Sequence, residues 1–110
     1  MIDLWRQDAN FLIGKIKKEL EHSFYIERDS IGTLRFELIM KHKKNDCKVK
    51  IESYHWEKEH ITISVYKNRK KNIVRYDIEI YKFSFDQPQK IIHFISSLRK
   101  EVDIQELFKI

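Results

Sequence analysis

Apolar residues recur every three to four positions near the start of the chain, which predicts an amphipathic helix over about residues 3–22. The apolar stripe of this helix consists of Ile2, Trp5, Ala9, Leu12, Ile13, Ile16 and Leu20. Leu4 and Phe11 lie a heptad apart and point away from that stripe. They indicate either a small exposed apolar patch, suited to a partner or a second copy of the chain, or a surface covered by another helix of the same chain.

The central part of the chain alternates between apolar and polar residues, which is the period of half-buried β-strands. A hairpin is predicted first, with a short strand over residues 24–28, a turn over residues 29–32 and a return strand over residues 34–40. Two further strands follow. Their predicted inward residues are Cys47, Val49, Ile51, Ile61, Ile63 and Val65.

The longest strand is predicted over residues 73–85, and its apolar pattern changes phase part of the way along. Val74, Tyr76, Ile78 and Ile80 share one face, whereas the later apolar residues are Tyr81, Phe83 and Phe85. Side chains of a regular strand cannot change faces without an extra residue or a bend. The pattern therefore predicts a β-bulge near Tyr81–Lys82.

A second helix is predicted to begin after this strand. Asp86 can cap it, Pro88 fits its first turn, and Gln89 completes a capping box. Its apolar stripe is Ile91, Phe94, Ile95, Leu98 and Val102, and a second box at Asp103 and Glu106 predicts a short final helix. The chain is thus predicted to be a single α+β domain over residues 1–110, with an antiparallel meander sheet of four or five strands and the N-terminal and C-terminal helices packed on one face.

The composition is basic, but its origin has two interpretations. The formal net charge is +5 and the isoelectric point is near 9.3, which favours anionic partners. Ile and Lys together account for 33 of the 110 residues, whereas Ala, Gly and Pro together account for four. This bias is typical of AT-rich genomes, such as those of many bacteria, their phages and their mobile elements. The lysine content therefore reflects either coding bias or selection for a partner.

Cysteine usage and hydropathy bear on the compartment. Cys47 is the only cysteine, so an internal disulfide is impossible. No run approaches the roughly 20 apolar residues that a membrane span requires, and the first residues mix charged with apolar side chains, unlike a secretory signal. A cytoplasmic location without membrane association is expected.

Two connections between predicted strands are strongly basic. The first, over residues 41–48, includes Lys43, Lys44 and Lys48, and the second, over residues 67–72, includes Lys67, Arg69, Lys70 and Lys71. Alternate connections of a meander lie at the same end of the sheet, so the two are predicted to form one basic edge. This edge suits nucleic-acid phosphates or an acidic protein surface, or it consists of solvated lysines that discourage edge aggregation.

The open sheet face is predicted to carry aromatic residues among cations. The aromatic residues are Tyr54, Tyr66 and Tyr81, with Trp56 at the end, and the cations are Arg35, Lys48, Lys50 and Arg75. This combination favours a stacking platform for single-stranded nucleic acid. The same face also carries Glu37, Glu52, Asp77 and Glu79, which favour cross-strand charge pairs on a solvated or protein-binding face.

No catalytic motif is present. His55 and His60 flank a predicted turn, but they supply only two of the three or four ligands that zinc requires. Cys47 is interpreted as a packing residue, and the chain has no Gly-rich phosphate loop and no RNA-recognition signature. The chain is therefore predicted not to be an enzyme, and neither a metal nor a cofactor is expected.

These patterns predict a small protein-binding module of the inhibitor or immunity type, or a phage or mobile-element protein that occludes its partner. The partner is expected to be a protein with an acidic surface, bound by the basic edge together with Tyr54, Trp56 and Tyr66. The alternative is a nucleic-acid-binding domain that places its two basic loops on phosphates. Homodimerisation through Leu4 and Phe11, or through a sheet edge, is a third hypothesis.

Overall fold

The fold is given by a computed structural model that describes residues 4–44, 47–57, 59–69, 72–82, 85 and 87–98. Within these ranges, the side chains at positions 4, 68, 69, 72, 74, 76, 97 and 98 lie outside the description. Among the described residues, no helix is long and apolar enough to cross a membrane.

Two helices flank five strands in the order α-β-β-β-β-β-α. The elements are α1 (Leu4–Leu20), β1 (Phe24–Ile31), β2 (Arg35–His42), β3 (Cys47–Tyr54), β4 (Ile61–Arg69), β5 (Asn72–Ile80) and α2 (Gln89–Leu98), with one 3₁₀ turn at His55–Glu57. The strands form one antiparallel sheet in which each pairs with the next along the chain. The predicted α+β class and the antiparallel meander are confirmed.

The core lies between one face of the sheet and the two helices. The buried residues of α1 are Trp5, Ala9, Leu12, Ile13, Ile16 and Leu20, and those of α2 are Ile91, Ile92 and Ile95. The buried strand residues include Phe36, Leu38, Met40, Val49, Ile51, Ile61, Ile63 and Val65. Alternate side chains of a strand point to opposite faces, so one residue in two enters this core. We call the other side of the sheet the outer face.

The first hairpin turn lies later in the chain than predicted. Residues 29–31 continue β1 and pair with β2, with Ile31 opposite Phe36, while the backbone N–H of Gly32 donates to the carbonyl of Arg35. Asp29 forms an ion pair with Lys17 of α1, and Ile31 packs against the core. These tertiary contacts outweigh the local turn preference of Asp and Ser.

The prediction for the end of the sheet was wrong. β5 ends at Ile80 rather than continuing to residue 85, and Lys82 adopts a φ of 56° instead of forming part of a bulge. A left-handed residue redirects the backbone sharply. Phe85 is buried and meets Phe36 edge-on at 5.5 Å between ring centroids. The change of apolar phase therefore marks the end of a strand. Instead, the register of the sheet shifts between Ile26 and Arg28 in β1.

The second helix begins at Gln89, so Pro88 lies just before it rather than in its first turn as predicted. The carbonyl of Pro88 accepts hydrogen bonds from the backbone N–H groups of Ile91 and Ile92. Asp86, Val102 and the final helix predicted from Asp103 lie outside the described residues. Their roles stay predictions.

The polar side of α1 leaves Phe11 partly exposed. Phe11 retains 47% of its accessible surface, and the ammonium of Lys15 lies 5.9 Å from its ring centroid. The described part of α2 packs on the other side of α1, within the core. The side chain of Leu4 is outside the description, so dimerisation through Leu4 and Phe11 stays a prediction.

Candidate binding face of the sheet

The outer face carries aligned rows of side chains because the five strands pair in a continuous register. One row runs Tyr25, Lys41, Lys48, Tyr66 and Arg75, each directly opposite the next. We call it the basic row. A second row passes through Glu52, two residues after Lys50 on β3. It also contains Glu37, Thr62 and Glu79. We call it the acidic row.

A groove of about 520 Å³ lies along the basic row. It is lined by Glu27, Glu37, Ile39, Lys41, Cys47, Lys48, Lys50, Tyr66 and Ile73. The ring of Tyr66 lies between two cations, with the Lys50 ammonium 5.9 Å and the Arg75 guanidinium 5.4 Å from its centroid. Cations over an aromatic face are attracted by its quadrupole. The groove therefore combines positive charge with aromatic and aliphatic surface.

The cations of this groove are only partly neutralised. Lys48 pairs with Glu27 at 2.8 Å by reaching across β2 to β1. Lys41 is exposed, and no carboxylate within 4 Å of its ammonium is found among the described residues. Burial lowers the pKa of Lys50, but a hydrogen bond with Tyr66 and the nearby Glu52 outweigh burial and leave the pKa above its ordinary value. Lys50 is therefore charged at neutral pH.

The acidic row buries two carboxylates directly opposite each other. Glu37 and Glu52 face one another in the register of β2 and β3 and are only 7% and 9% exposed. Arg35 lies 2.8 Å from Glu37 and 4.0 Å from Glu52. Arg28 lies 3.6 Å from Glu37, and Lys50 lies 3.5 Å from Glu52. Glu37 and Glu52 are thus paired with neighbouring cations.

Some of the cross-strand charge pairs expected on this face are present, whereas another pair forms within a single strand. Arg28–Glu37 and Arg35–Glu52 join neighbouring strands. Arg75 instead donates to Asp77 of its own strand at 2.8 Å, and this hydrogen bond lowers the pKa of Asp77 below its usual value. Both residues therefore remain charged at neutral pH.

The other end of the outer face is aromatic. Tyr54 and Trp56 pack with ring centroids 4.8 Å apart, and His60 and Tyr81 stack at 4.5 Å with an interplanar angle of 4°. The rings of Trp56, His60 and Tyr81 border an open groove of about 740 Å³, which we call the aromatic cleft. It is lined by His55, Trp56, Glu57, Glu59, His60, Tyr81 and Lys82.

The two histidines of this region do not converge on one point. His60 Nδ1 lies 2.7 Å from Glu57 Oε2, whereas the His55 ring meets Trp5 of α1 edge-on at 5.3 Å. Across the described ranges, no group of three or more His, Cys, Asp or Glu residues is arranged to hold a metal ion.

The structure does not bring all of the sequence-predicted binding residues together. Lys48 and Tyr66 belong to the basic row, and Tyr54 and Trp56 lie at the aromatic end. Tyr54 is six positions after Lys48 along β3, which corresponds to a distance of about 20 Å. Lys67 pairs with Cys47, whose side chain enters the core, and therefore follows the inner-face phase. The side chains of Arg69, Lys70 and Lys71 lie outside the description.

The first connection of the predicted basic edge, after β2, lies at the end of the sheet where β1 begins. The backbone N–H of Lys43 donates to the carbonyl of Ser23 at 2.9 Å, and the Lys43 ammonium lies 5.1 Å from the centroid of Tyr25. Lys44 is exposed in the same connection. This connection is therefore adjacent to the basic row, because Lys43 contacts Tyr25.

Among the residues of the basic row, Tyr25 was not predicted to bind, whereas Lys41 was part of the first basic connection and Arg75 was one of the cations predicted on the open face. Strand alternation places Lys41 in phase with Glu37 and Ile39. Tyr25 requires the register of β1, which the shift near Glu27 alters.

Cys47 lines the groove, but its side chain enters the core, and a low reactivity of its thiol is expected. It is 5% exposed, and burial raises its pKa to about 11, an effect that the neighbouring Lys67 only partly offsets. We expect iodoacetamide to label native Cys47 at pH 8 roughly two hundredfold more slowly than an unstructured thiol with a pKa of about 8.5. The rate should rise about tenfold per pH unit up to the pKa.

The same labelling in 8 M urea supplies the control for this prediction, because unfolding removes the burial that raises the pKa of Cys47. Labelling of the native protein at the urea rate would contradict the burial of this side chain. The readout is the mass of the alkylated chain as a function of time.

Comparisons with protein-family models, with curated proteins and with solved structures return no match for this chain.

Proposed function

We propose that this chain is a protein-binding module that holds an acidic segment of a partner protein against the basic row. The observation that carries the proposal is a groove on the outer face in which Lys41, Lys48 and Lys50 surround aliphatic and aromatic surface. Both described helices pack on the inner face. Neither of the helices that the structure describes covers the groove.

The mixed chemistry of the face favours a protein over a nucleic acid. Ile73 is 70% exposed beside the groove, and Ile39 lines it, so apolar partner side chains have matching surface. Glu27 and Asp77 lie among the cations. A protein can match both signs of charge, whereas a phosphate backbone presents only negative charge.

Binding of this kind supports an inhibitor or immunity role. A module with a rigid sheet face acts by occlusion and needs no chemistry of its own, so we propose a non-enzymatic function. A stable complex would bury about 800 Å² on each partner, which is more than the groove alone and includes much of the outer face. A single reduced, buried cysteine suits the cytoplasm, the compartment that we propose.

Nucleic-acid binding is the second candidate because two basic connections share one end of the sheet. The connection after β2 carries Lys43 and Lys44, and the one after β4 begins beyond Arg69 at the same end. Phosphate contacts at this basic edge would give a steep dependence of affinity on salt.

The proposed function is tested by fluorescence anisotropy with a labelled decapeptide of glutamate and with labelled single-stranded and duplex DNA. The variant Lys41→Gln/Lys48→Gln removes two charges from the basic row. The control Lys15→Gln/Lys18→Gln removes two charges from exposed positions of α1, which leaves the net charge equal. We expect the row variant to bind the peptide about tenfold more weakly, and the control to change affinity by less than about twofold.

Two outcomes would contradict the proposal. Equal losses in the two variants would show that net charge alone drives binding, and the absence of peptide binding at ~50 mM salt would remove the acidic-partner model. DNA binding that falls steeply between ~50 and ~200 mM salt, and that Lys43→Gln/Lys44→Gln abolishes, would establish the second candidate instead.

A further inference from the structure

The aromatic cleft presents ring faces and edges to solvent. Trp56 and Tyr81 are 64% and 66% exposed, although large aromatic side chains are usually buried in domain cores. Each is held by a neighbouring ring, Trp56 by Tyr54 and Tyr81 by His60. The exposed rings are therefore oriented by aromatic contacts before any ligand binds.

Carboxylates surround these rings. Glu57 and Glu59 line the cleft, and Glu79 accepts a hydrogen bond from the Tyr81 hydroxyl at 3.1 Å. The hydrogen bond to Glu79 raises the pKa of Tyr81, and the negative charges of Glu79 and Glu57 raise it further. The Tyr81 phenol thus contacts the carboxylate of Glu79 and is influenced by the charge of Glu57.

We propose that the aromatic cleft binds an organic cation, an ammonium or guanidinium group, between the exposed rings of Trp56 and Tyr81 and the carboxylates of the 57–59 connection. Cations bind to the faces of Trp and Tyr through the ring quadrupole, and Trp is the strongest of the aromatic partners. Glu59 supplies a carboxylate that has no cationic partner within 4 Å among the described side chains. Among the described residues that line the cleft, the carboxylates of Glu57 and Glu59 outnumber the ammonium of Lys82.

This site differs from the one proposed above. The aromatic cleft and the groove of the basic row share no lining residue, and they prefer ligands of opposite charge. A partner protein could contribute an arginine or lysine side chain, and a free quaternary ammonium compound has the same chemistry. The cation site does not depend on the acidic-partner function.

Tryptophan fluorescence provides a direct test, because Trp5 and Trp56 are the only tryptophans and Trp5 is 4% exposed. The probes are choline and N-acetyl-arginine methylamide. Their uncharged counterparts, 3,3-dimethylbutan-1-ol and N-acetyl-citrulline methylamide, have nearly the same shapes. We expect one or both cations to change the fluorescence saturably, with a dissociation constant in the millimolar range, and the uncharged compounds to have no effect.

Amino-acid substitutions test which residues produce the fluorescence response to the cations. Trp56→Phe should abolish the signal, and Tyr81→Ala should weaken cation binding about two- to fivefold. Glu59→Gln should weaken it by a similar factor and should retain binding of the glutamate decapeptide, since it leaves the basic row intact. Tyr25→Ala is the matched control, because Tyr25 is 61% exposed at the opposite end of the outer face. Thermal unfolding of each variant establishes that the fold is retained.

The outcomes separate the possible sources. A response to choline alone indicates a free quaternary ammonium ligand, a response to the arginine derivative alone indicates a protein side chain, and either supports the site. Equal responses to charged and uncharged probes, no response to any probe, or equal effects of Tyr81→Ala and Tyr25→Ala would overturn the proposal.

Discussion

Replacement of Phe36 by alanine is expected to lower the free energy of unfolding by about 3–5 kcal/mol. Phe36 is completely buried in β2. Its ring lies 5.9 Å from Trp5 of α1 and 5.5 Å from Phe85, which follows β5. Phe36 therefore connects the sheet to the helix layer and to the segment that returns from the end of the sheet. Truncation would leave a cavity among elements that are distant in the sequence.

Urea denaturation measures this loss, with Leu34→Ala as the control. Leu34 is two residues earlier in the chain but 60% exposed, so its truncation should cost less than about 0.5 kcal/mol. Small domains have total stabilities of about 5–15 kcal/mol, so Phe36→Ala would remove much of the available stability. A cost below about 1 kcal/mol for Phe36→Ala would contradict the packing described for this ring.

The contrast between Phe36 and Leu34 also shows which parts of the fold the sequence predicts. Periodicity identified the stripe of α1 and the inward residues of β3 and β4, because a regular element repeats its burial at a fixed spacing. Leu34 has the same phase as Phe36 and was included in the return strand predicted over residues 34–40. The strand begins only at Arg35, so the phase does not apply to Leu34.

Predictions failed where a distant residue determines local structure. Asp29 and Ser30 have turn chemistry, yet they continue β1, and Asp29 pairs with Lys17 twelve residues earlier. At the other end of the sheet, the left-handed conformation of Lys82 ends the apolar pattern of β5. Neither local composition nor strand period contains this information.

The candidate site was only partly predictable for a similar reason. Alternation placed Lys48 and Tyr66 on the outer face, but their alignment with Lys41 and Arg75 depends on the register of three strand pairs. Alternation also assigned Glu37 and Glu52 to a solvated face, whereas both are buried. Burial on an open face arises from the long side chains around a residue, which a one-dimensional pattern does not represent.

The outer face has opposite chemistry at its two ends. The basic row carries Lys41, Lys48 and Arg75, the aromatic cleft carries Glu57 and Glu59 beside exposed rings, and Glu37 and Glu52 between them pair with neighbouring cations. The separation of about 20 Å along β3 is too large for one small molecule to reach both ends. A protein surface with charges of both signs could contact both, which is consistent with a protein partner.

The stability of the protein is expected to depend strongly on Arg35, which pairs with the acidic row. Arg35→Gln should lower the free energy of unfolding by about 2 kcal/mol, because it leaves Glu37 and Glu52 buried and directly opposite each other. Removing one partner from a buried ion pair costs about 3–5 kcal/mol. The expected value is smaller because the Arg35 side chain is 43% exposed and solvent screens its charge, and because Arg28 and Lys50 still lie near the carboxylates.

Arg75→Gln is a closely matched control for this prediction. Arg75 pairs with Asp77 at the same 2.8 Å, also two residues along its own strand, and has a similar exposure of 49%. Asp77 is 45% exposed, however, whereas the Glu37 side chain is 9% exposed, so Arg75→Gln should cost less than about 1 kcal/mol. Adding Glu52→Gln to Arg35→Gln should recover about half of the loss, since it removes the like-charge pair. Equal costs for the two arginine variants, or no recovery in the double variant, would show that the buried carboxylates do not require Arg35.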